Sequence, residues 1–166
     1  AGKVSAFVSA VGTGGTLAGT TLYLKVRNPQ IIVGCADPSG AAMWSWFING
    51  NTETNDGDSF AEGIGQGRVT KNLEGIAVDG AWRIPDQDAL TILYQLLREE
   101  GLFLGLSSGI NVAGAVRLGL ERGPGQTIVT ILCDSGAKYQ SRIFNPEWVA
   151  ANGLRTDLFV DTLLEP

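Results

Sequence analysis

The amino-acid sequence predicts an α/β fold with a mostly parallel sheet flanked by helices. Two observations lead to this prediction. Short β-rich runs alternate with helical patterns along the chain, and a glycine-rich turn joins the first predicted strand to the first predicted helix. Such alternation is typical of βαβ units, whose connections place helices on the faces of a parallel sheet. In these sheets, ligands bind beside the carboxyl ends of the strands.

Five runs predict strands, and continuous apolar character in the last of them favours a strand that is covered on both faces. The predicted strands are residues 5–11, 31–36, 77–84, 102–106 and 127–133. The clearest helix is predicted over residues 86–100, where apolar side chains recur at spacings of three and four and Gly101 supplies a stop signal. Further helices are predicted over residues 17–26, 110–122 and 145–152. The polar stretch 49–59 predicts a surface loop.

The turn after the first strand is the most informative feature of the sequence. It contains Gly12, Thr13, Gly14, Gly15 and Thr16. Glycines allow a close approach of the backbone to a ligand, and the start of a helix presents unpaired N–H groups and the positive end of the helix dipole. We therefore predict that a phosphate binds here through backbone amides and hydroxyl groups, without a basic side chain.

Two other interpretations of this turn remain open. One is a tight strand-to-helix turn that binds no ligand. The other is a dinucleotide site, since Asp37 at the end of the second strand lies near the position of a ribose-binding acid. However, Leu17 and Ala18 occupy the positions at which that motif or its variant requires a third glycine. A non-catalytic nucleotide-binding module is therefore kept as an alternative of another class.

Composition excludes several classes of function. The 166 residues predict about one domain, and the net charge of −5, with no cluster of the 12 Lys and Arg residues, argues against a nucleic-acid partner. The absence of histidine removes the Ser-His-Asp and Cys-His systems and the usual zinc ligand, so we expect no metal site. Cys35 and Cys133 lie in apolar runs, which predicts two buried thiols.

No apolar run reaches transmembrane length, so we expect no membrane association and a cytoplasmic location. The sequence opens with Ala1 rather than Met, and its first predicted strand begins about four residues later. We therefore expect this sequence to be a piece of a longer protein. Any organellar targeting signal would lie in the preceding part.

Polar residues follow several predicted strands and are candidates for one crevice. They are Asp37, Ser107 and Asp134, together with the glycine turn. Ser107 has a second interpretation as the N-cap of the following helix. Gly63 and Gly65 indicate either a close backbone approach or a bend in the chain.

Five motifs together resemble one enzyme family. Their order and spacing are similar to those of cysteine synthase (O-acetylserine sulfhydrylase), and cystathionine β-synthase and other tryptophan-synthase-β-like enzymes share the plan. The motifs are Val-Gly-Thr-Gly-Gly-Thr at 11–16, Ala-Asp-Pro at 36–38, Glu-Gly-Ile-Gly at 62–65, Gly-Leu-Ser-Ser-Gly-Ile-Asn at 105–111 and Leu-Cys-Asp-Ser-Gly-Ala-Lys-Tyr at 132–139. The resemblance covers residues 1–150, followed by a C-terminal tail at 151–166. It implies the C-terminal, large-domain portion of a fold type II enzyme that uses pyridoxal 5′-phosphate.

The resemblance also implies roles for individual residues. Residues 12–16 would hold the cofactor phosphate, and Ser107 would hydrogen-bond the pyridine nitrogen. Gly63 and Gly65 would line the mouth of the cofactor site, and Asp134 would lie near the pyridine end. A neutral hydroxyl at the nitrogen leaves the ring largely unprotonated, which suits β-elimination and β-replacement better than transamination.

The implied reaction is β-replacement on O-acetylserine, or a related activated serine, with sulfide to give cysteine. The runner-up is a reaction of the cystathionine β-synthase or cysteine desulfhydrase type. The family's cofactor-attaching lysine belongs to the N-terminal half, and none of the four lysines has the expected context: Lys3, Lys25, Lys71 and Lys138. We therefore expect no catalytic residue in this chain and no activity from it alone. The expected partners are an amino-acid substrate, the N-terminal half and, in the full protein, a second copy.

Overall fold

A four-stranded parallel sheet forms the centre of the molecule in a computed structural model that describes residues 3–54 and 57–158. The strands are β1 (Ala6–Ser9), β2 (Ile32–Pro38), β3 (Gly80–Ile84) and β4 (Ile128–Thr130), in the spatial order β3-β2-β1-β4. Ala6 of β1 is in register with Ile32 on one side and Ile128 on the other. The predicted α/β class and the parallel sheet are confirmed.

Five α-helices occur in the described part of the chain. They are α1 (Gly15–Arg27), α2 (Met43–Asn49), α3 (Asp86–Glu100), α4 (Leu106–Arg122) and α5 (Pro146–Ala151). The bounds predicted for α3 are confirmed, and α5 begins after an Asn145 side chain that accepts hydrogen bonds from the N–H groups of Glu147 and Trp148. A short 3₁₀ helix, Lys71–Leu73, precedes β3.

Side chains of β1 alternate between two apolar cores, one on each face of the sheet. Val8 packs into the core formed with α3 and α4, where Leu90, Leu93 and Ile110 are buried. Phe7 points to the opposite core, which contains Leu17 of α1, Met43 of α2 and Leu73 of the 3₁₀ helix. Because β1 is buried on both faces, the turn that follows it starts from a fixed point.

The thiol of Cys35 lies in the second core, as predicted, and burial raises its pKa well above the ordinary value. The other thiol, on Cys133, is exposed, so the prediction of a second buried thiol is wrong. The reason is the position of β4, which pairs with β1 alone and ends at Thr130. Beyond that point the backbone binds side chains of α4, and the Cys133 amide donates to the Ser108 hydroxyl at 2.9 Å.

Two strand predictions need correction. Residues 127–133 form only the three-residue β4 on the sheet edge, with Val129, Ile131 and Leu132 exposed, so cover on both faces is not observed. Residues 102–106 form a single antiparallel bridge between Leu104 and Ser135. That run cannot continue as a strand because Gly105 is the N-cap of α4 and Leu106 is its first residue.

Helix α2 is absent from the sequence predictions, and α4 begins four residues earlier than the predicted start at 110. The predicted loop 49–59 begins with Asn49, the last residue of α2, and its residues 55–56 lie outside the described residues. Of the predicted tail 151–166, Ala151 ends α5 and residues 159–166 lie outside the described residues. The Arg155 amide donates to Gln87 Oε1 of α3 at 2.8 Å.

Among the helices that the structure describes, none has the length and apolar character needed to cross a bilayer.

Helix α4 crosses the sheet at Gly114, where a side chain has no room. A Cβ built there would lie 2.7 Å from Ala36 Cβ and 3.0 Å from Val8 Cγ1. We expect Gly114→Ala to lower the free energy of unfolding by about 1–2 kcal/mol, because overpacking exceeds the gain in helix propensity. Gly119→Ala, on the same helix, is the matched control, since its Cβ would meet only Ile128 Cδ1 at 3.5 Å. Urea unfolding should show the control unchanged or stabilised; equal effects of the two substitutions would contradict this packing.

Candidate functional site: an anion cradle at the start of the first helix

The glycine turn leaves the start of α1 without a side-chain cap. Gly14 is the N-cap residue and has a φ of 83°, a left-handed conformation that favours glycine. Within the described residues, no side chain caps the first turn of this 13-residue helix. The free N–H groups and the positive end of the helix dipole are therefore available to an anion.

A cavity of about 260 Å³ opens at this turn. Its walls come from the end of β1, the glycine turn, the start of α1, residues 63–64, α4 and the segment after β4. The lining residues are Ser9, Ala10, Gly12, Thr13, Gly14, Thr16, Leu17, Gly63, Ile64, Asn111, Ile131 and Cys133. This volume is slightly below the range of about 300–1,000 Å³ usual for small-molecule sites, which suits a compact ligand.

Polar groups in the cradle are donors without positive charge. Thr13 and Thr16 are exposed, and neither hydroxyl has a hydrogen-bond partner among the described residues. No Lys or Arg of the described chain lines the cavity. An anion here would therefore be bound by backbone N–H and hydroxyl groups. The donor set fits a phosphate group.

Residues 63–65 approach the turn closely. A Cβ on Gly12 would collide with the carbonyl oxygen of Gly63, and the Gly65 amide donates to the Val11 carbonyl at 3.1 Å. Gly63 and Gly65 also have positive φ values of 77° and 83°. The two interpretations offered by the sequence, close approach and a bend, therefore both hold. Gly63 lines the main cavity, whereas Gly65 lines a neighbouring cavity of about 150 Å³.

Ser107 is the second residue of α4 and is not its N-cap, since Gly105 holds that position. The residue is only 6% exposed, and its hydroxyl has no hydrogen-bond partner within the described residues. It does not line the main cavity. The alternative role as an N-cap is wrong because Gly105 occupies that position.

Asn111, one turn further along α4, lines the cavity, although the sequence analysis did not single it out as a site residue. It is 1% exposed. Its Oδ1 accepts from the Ala10 amide at 2.6 Å, and its Nδ2 donates to the Ile131 carbonyl at 2.8 Å. One amide side chain thus joins the end of β1 to the segment after β4. The available sequence signal is a polar residue four positions after Ser107 on an otherwise apolar helix face.

Asp134 contributes to the start of α4 and does not line the cavity. Its backbone carbonyl accepts from the Gly105 amide at 2.9 Å, and its Oδ2 accepts from the Tyr139 hydroxyl at 2.8 Å. Its Oδ1 is buried without a partner among the described residues. Burial, together with this hydrogen bond, raises the pKa of Tyr139 to about 12.

Asp37 is completely buried at the end of β2 and binds the start of α2. Its Oδ2 accepts from the Trp44 amide at 2.8 Å, while Oδ1 has no partner in the described part of the chain. Burial raises the pKa of Asp37 to about 6, against the opposing effects of the α2 amides and Arg83. A carboxylate enclosed in this way cannot bind a ribose in a crevice. This geometry disfavours the dinucleotide interpretation.

With this geometry established, comparison with known proteins defines the class. A family model described as "Pyridoxal-phosphate dependent enzyme" matches residues 1–134. The chain belongs to that family. Members of the family are enzymes that depend on pyridoxal phosphate, so the cofactor predicted from the five motifs is confirmed for the family.

Several similar proteins carry the name cysteine synthase, and two of them illustrate the similarity. The chain is 44% identical over 157 residues to cysteine synthase 1 of Neurospora crassa, covering 92% of this chain and 42% of the relative. It is 40% identical over 158 residues to the cysteine synthase of Dictyostelium discoideum, covering 89% and 42%. The chain thus spans about two fifths of the length of these relatives.

A solved structure shares the fold. The O-acetylserine dependent cystathionine β-synthase of Helicobacter pylori is similar with a TM-score of 0.73 and 31% identity, over 84% of this chain and 43% of that one. The expected fold type, the large-domain portion of a pyridoxal-phosphate enzyme of fold type II, is confirmed by this similarity.

The buried Asp37 generates a pH prediction. A raised pKa means that the folded state binds the proton more tightly than the unfolded chain does, so stability falls as pH rises between about 4 and 6. The expected loss from this residue is about 3 kcal/mol. We expect Asp37→Asn to match the unsubstituted chain at pH 4 and to be more stable at pH 7, measured by urea unfolding.

Asp86 has a raised pKa as well, so the difference between the variant and the unsubstituted chain is the quantity to compare. If the unsubstituted chain gained stability relative to Asp37→Asn between pH 4 and 6, the assigned shift of Asp37 would have the wrong sign.

Proposed function

We propose that this chain forms the cofactor-phosphate-binding part of an enzyme that carries out β-replacement on O-acetylserine, or a related activated serine, with sulfide to give cysteine. One observation carries the proposal: the uncapped start of α1 opens into a cavity whose exposed donors are glycine amides and threonine hydroxyls. The cysteine synthase names of the two relatives support the choice of reaction. A cytoplasmic homodimer, with this chain joined to the remainder of the enzyme, is part of the proposal.

The cradle would bind the phosphate group through its backbone. Gly12, Thr13, Gly14, Gly15 and Thr16 supply N–H and hydroxyl donors, and each hydrogen bond to a charged group contributes about 1.5–3 kcal/mol. Several such bonds can hold a dianion although no Lys or Arg among the described residues lines the cavity. Gly63 would lie at the mouth of the site, where its backbone already contacts the turn.

Pyridoxal phosphate, when bound, supplies an electron sink that allows the β-substituent of an amino acid to leave. In the overall reaction the bond from Cβ to the acetate oxygen breaks, acetate departs, and a bond from Cβ to sulfur forms. Ser107 would face the pyridine nitrogen with a neutral hydroxyl at a helix start. A carboxylate there would favour a protonated ring, whereas a hydroxyl does not.

None of the described lysines lines the cradle, although Lys71 begins the 3₁₀ helix that contacts the glycine turn from outside the cavity. Lys25 forms an ion pair with Asp79 at 2.7 Å, Lys138 forms one with Asp134 at 3.3 Å, and no lysine of the described chain lines the cavity. We therefore propose that the lysine that attaches the cofactor lies outside residues 1–166. The chain would then bind the cofactor weakly and show no turnover by itself.

The proposal predicts cysteine formation by the full-length protein that contains this sequence. We expect O-acetylserine and sulfide to give cysteine and acetate in equal amounts, with activity lost on removal of pyridoxal phosphate. Pyridoxal phosphate should also raise the melting temperature, because it binds the folded state only. NAD is the control ligand. A higher melting temperature with NAD, and no change with pyridoxal phosphate, would favour the nucleotide-binding module instead.

A cystathionine-forming enzyme is the second candidate, because the similar structure carries that description. Cystathionine contains a thioether in place of a thiol, so its synthesis by β-replacement requires homocysteine as the nucleophile. The assay above, repeated with homocysteine in place of sulfide, separates the candidates. A larger kcat/KM with homocysteine would favour the second candidate.

Ser107 provides a residue-level test in the same full-length protein. We expect Ser107→Ala to lower the rate about tenfold to thirtyfold while the cofactor remains bound, because one hydrogen bond of about 1–2 kcal/mol is lost and the phosphate contacts remain. Absorbance of the bound cofactor reports occupancy, and thermal melting reports folding. An unchanged rate with a lower melting temperature would show that this hydroxyl is structural.

A further inference from the structure

Two side chains outside the cavity converge on one carbonyl of the glycine turn. Thr70 Oγ1 donates a hydrogen bond to the Thr13 carbonyl at 2.7 Å, and Asn72 Nδ2 donates to the same oxygen at 2.9 Å. Neither Thr70 nor Asn72 lines the main cavity. They therefore act on the turn from outside the site, across 57 and 59 residues of sequence.

The orientation of this carbonyl decides the orientation of the next amide. In a trans peptide the C=O and N–H bonds point in opposite directions in one plane. Holding the Thr13 carbonyl toward Thr70 and Asn72 directs the Gly14 N–H away from them. Since Thr13 and Gly14 line the cavity and their two partners do not, the clamped peptide presents its donor on the cavity side.

Packing in the same segment supports the clamp. A Cβ on Gly14 would lie 2.7 Å from Leu73 Cγ, and Leu73 is buried in the core that contains Leu17 of α1. The 3₁₀ helix Lys71–Leu73 therefore fixes the turn by a side-chain contact as well as by hydrogen bonds. A glycine such as Gly14 can adopt several backbone conformations. The contact with Leu73 restricts Gly14 to the conformation with positive φ.

We infer that Thr70 and Asn72 are positioning residues for phosphate binding. They orient the peptide between Thr13 and Gly14 so that the cradle is formed before the ligand arrives. Pre-organisation of this kind increases affinity by reducing the ordering cost of binding. The inference rests on the proposed function, because it assumes that the anion is the phosphate of pyridoxal phosphate.

The test uses the full-length protein and two ligands, pyridoxal phosphate and pyridoxal, which lacks the phosphate. Thr70→Val removes the hydroxyl at nearly constant volume, and Thr70→Ser keeps it as the matched control. We expect Thr70→Val to raise the Kd of pyridoxal phosphate about tenfold, as loss of one structural hydrogen bond implies. The Kd of pyridoxal should not change, and Thr70→Ser should behave as the unsubstituted protein.

The ³¹P resonance of the bound cofactor gives a second measurement that does not depend on activity. It should move in Thr70→Val and stay in place in Thr70→Ser, because the environment of the phosphate changes only in the former. Asn72→Ala should reproduce the Thr70→Val result. Because Asn72 is exposed, this variant can replace Thr70→Val in the test if the valine variant does not fold.

Three results would overturn the inference: equal weakening of both ligands, equal effects of valine and serine, or full affinity in both Thr70→Val and Asn72→Ala. Failure of the proposed function has a different signature. In that case the unsubstituted protein would bind pyridoxal phosphate no better than pyridoxal. The Kd values of the two ligands would then be equal in the unsubstituted protein as well as in the variants.

Discussion

The site depends on one constraint: the backbone between β1 and α1 has no room for a side chain at Gly12 or Gly14, and no side chain of the described residues caps α1. Gly12 has no room for a Cβ because the Gly63 carbonyl lies against it, and Gly14 has a positive φ beside Leu73. These contacts come from residues about fifty or more positions away in sequence. The first N–H groups of α1 have no side-chain cap among the described residues. In a closed turn such groups would lack a partner, whereas beside a cavity they can bind an anion.

Buried polar side chains tie the elements around this turn together. Asn111 connects α4 with the ends of β1 and β4, and Ser108 accepts a hydrogen bond from the Cys133 amide at 2.9 Å. Asp37 connects the end of β2 with the start of α2, and its burial raises the pKa of the carboxyl group. Each group is costly to bury and useful when paired, so together they specify one arrangement of loops on a parallel sheet.

Residues 63–73 have two functions in this arrangement. Gly63 and Gly65 lie against the turn, while Thr70 and Asn72 donate hydrogen bonds to the turn from outside the cavity. The segment contains little regular structure, only the 3₁₀ helix Lys71–Leu73. Loops held on a rigid sheet commonly carry function, and here the loop shapes the backbone that would receive the ligand.

The sequence by itself determined the α/β class, the bounds of α3 and the glycine turn, because hydrophobic period and glycine placement are local properties. It also identified the family through five ordered motifs. Only the tertiary structure decided that β4 is a short edge strand, that Cys133 is exposed and that Asp37 binds α2. It likewise revealed Asn111, Thr70 and Asn72, since a hydrogen bond between residues far apart in sequence leaves no periodic signal. Such contacts exist only once the chain has brought these distant residues together.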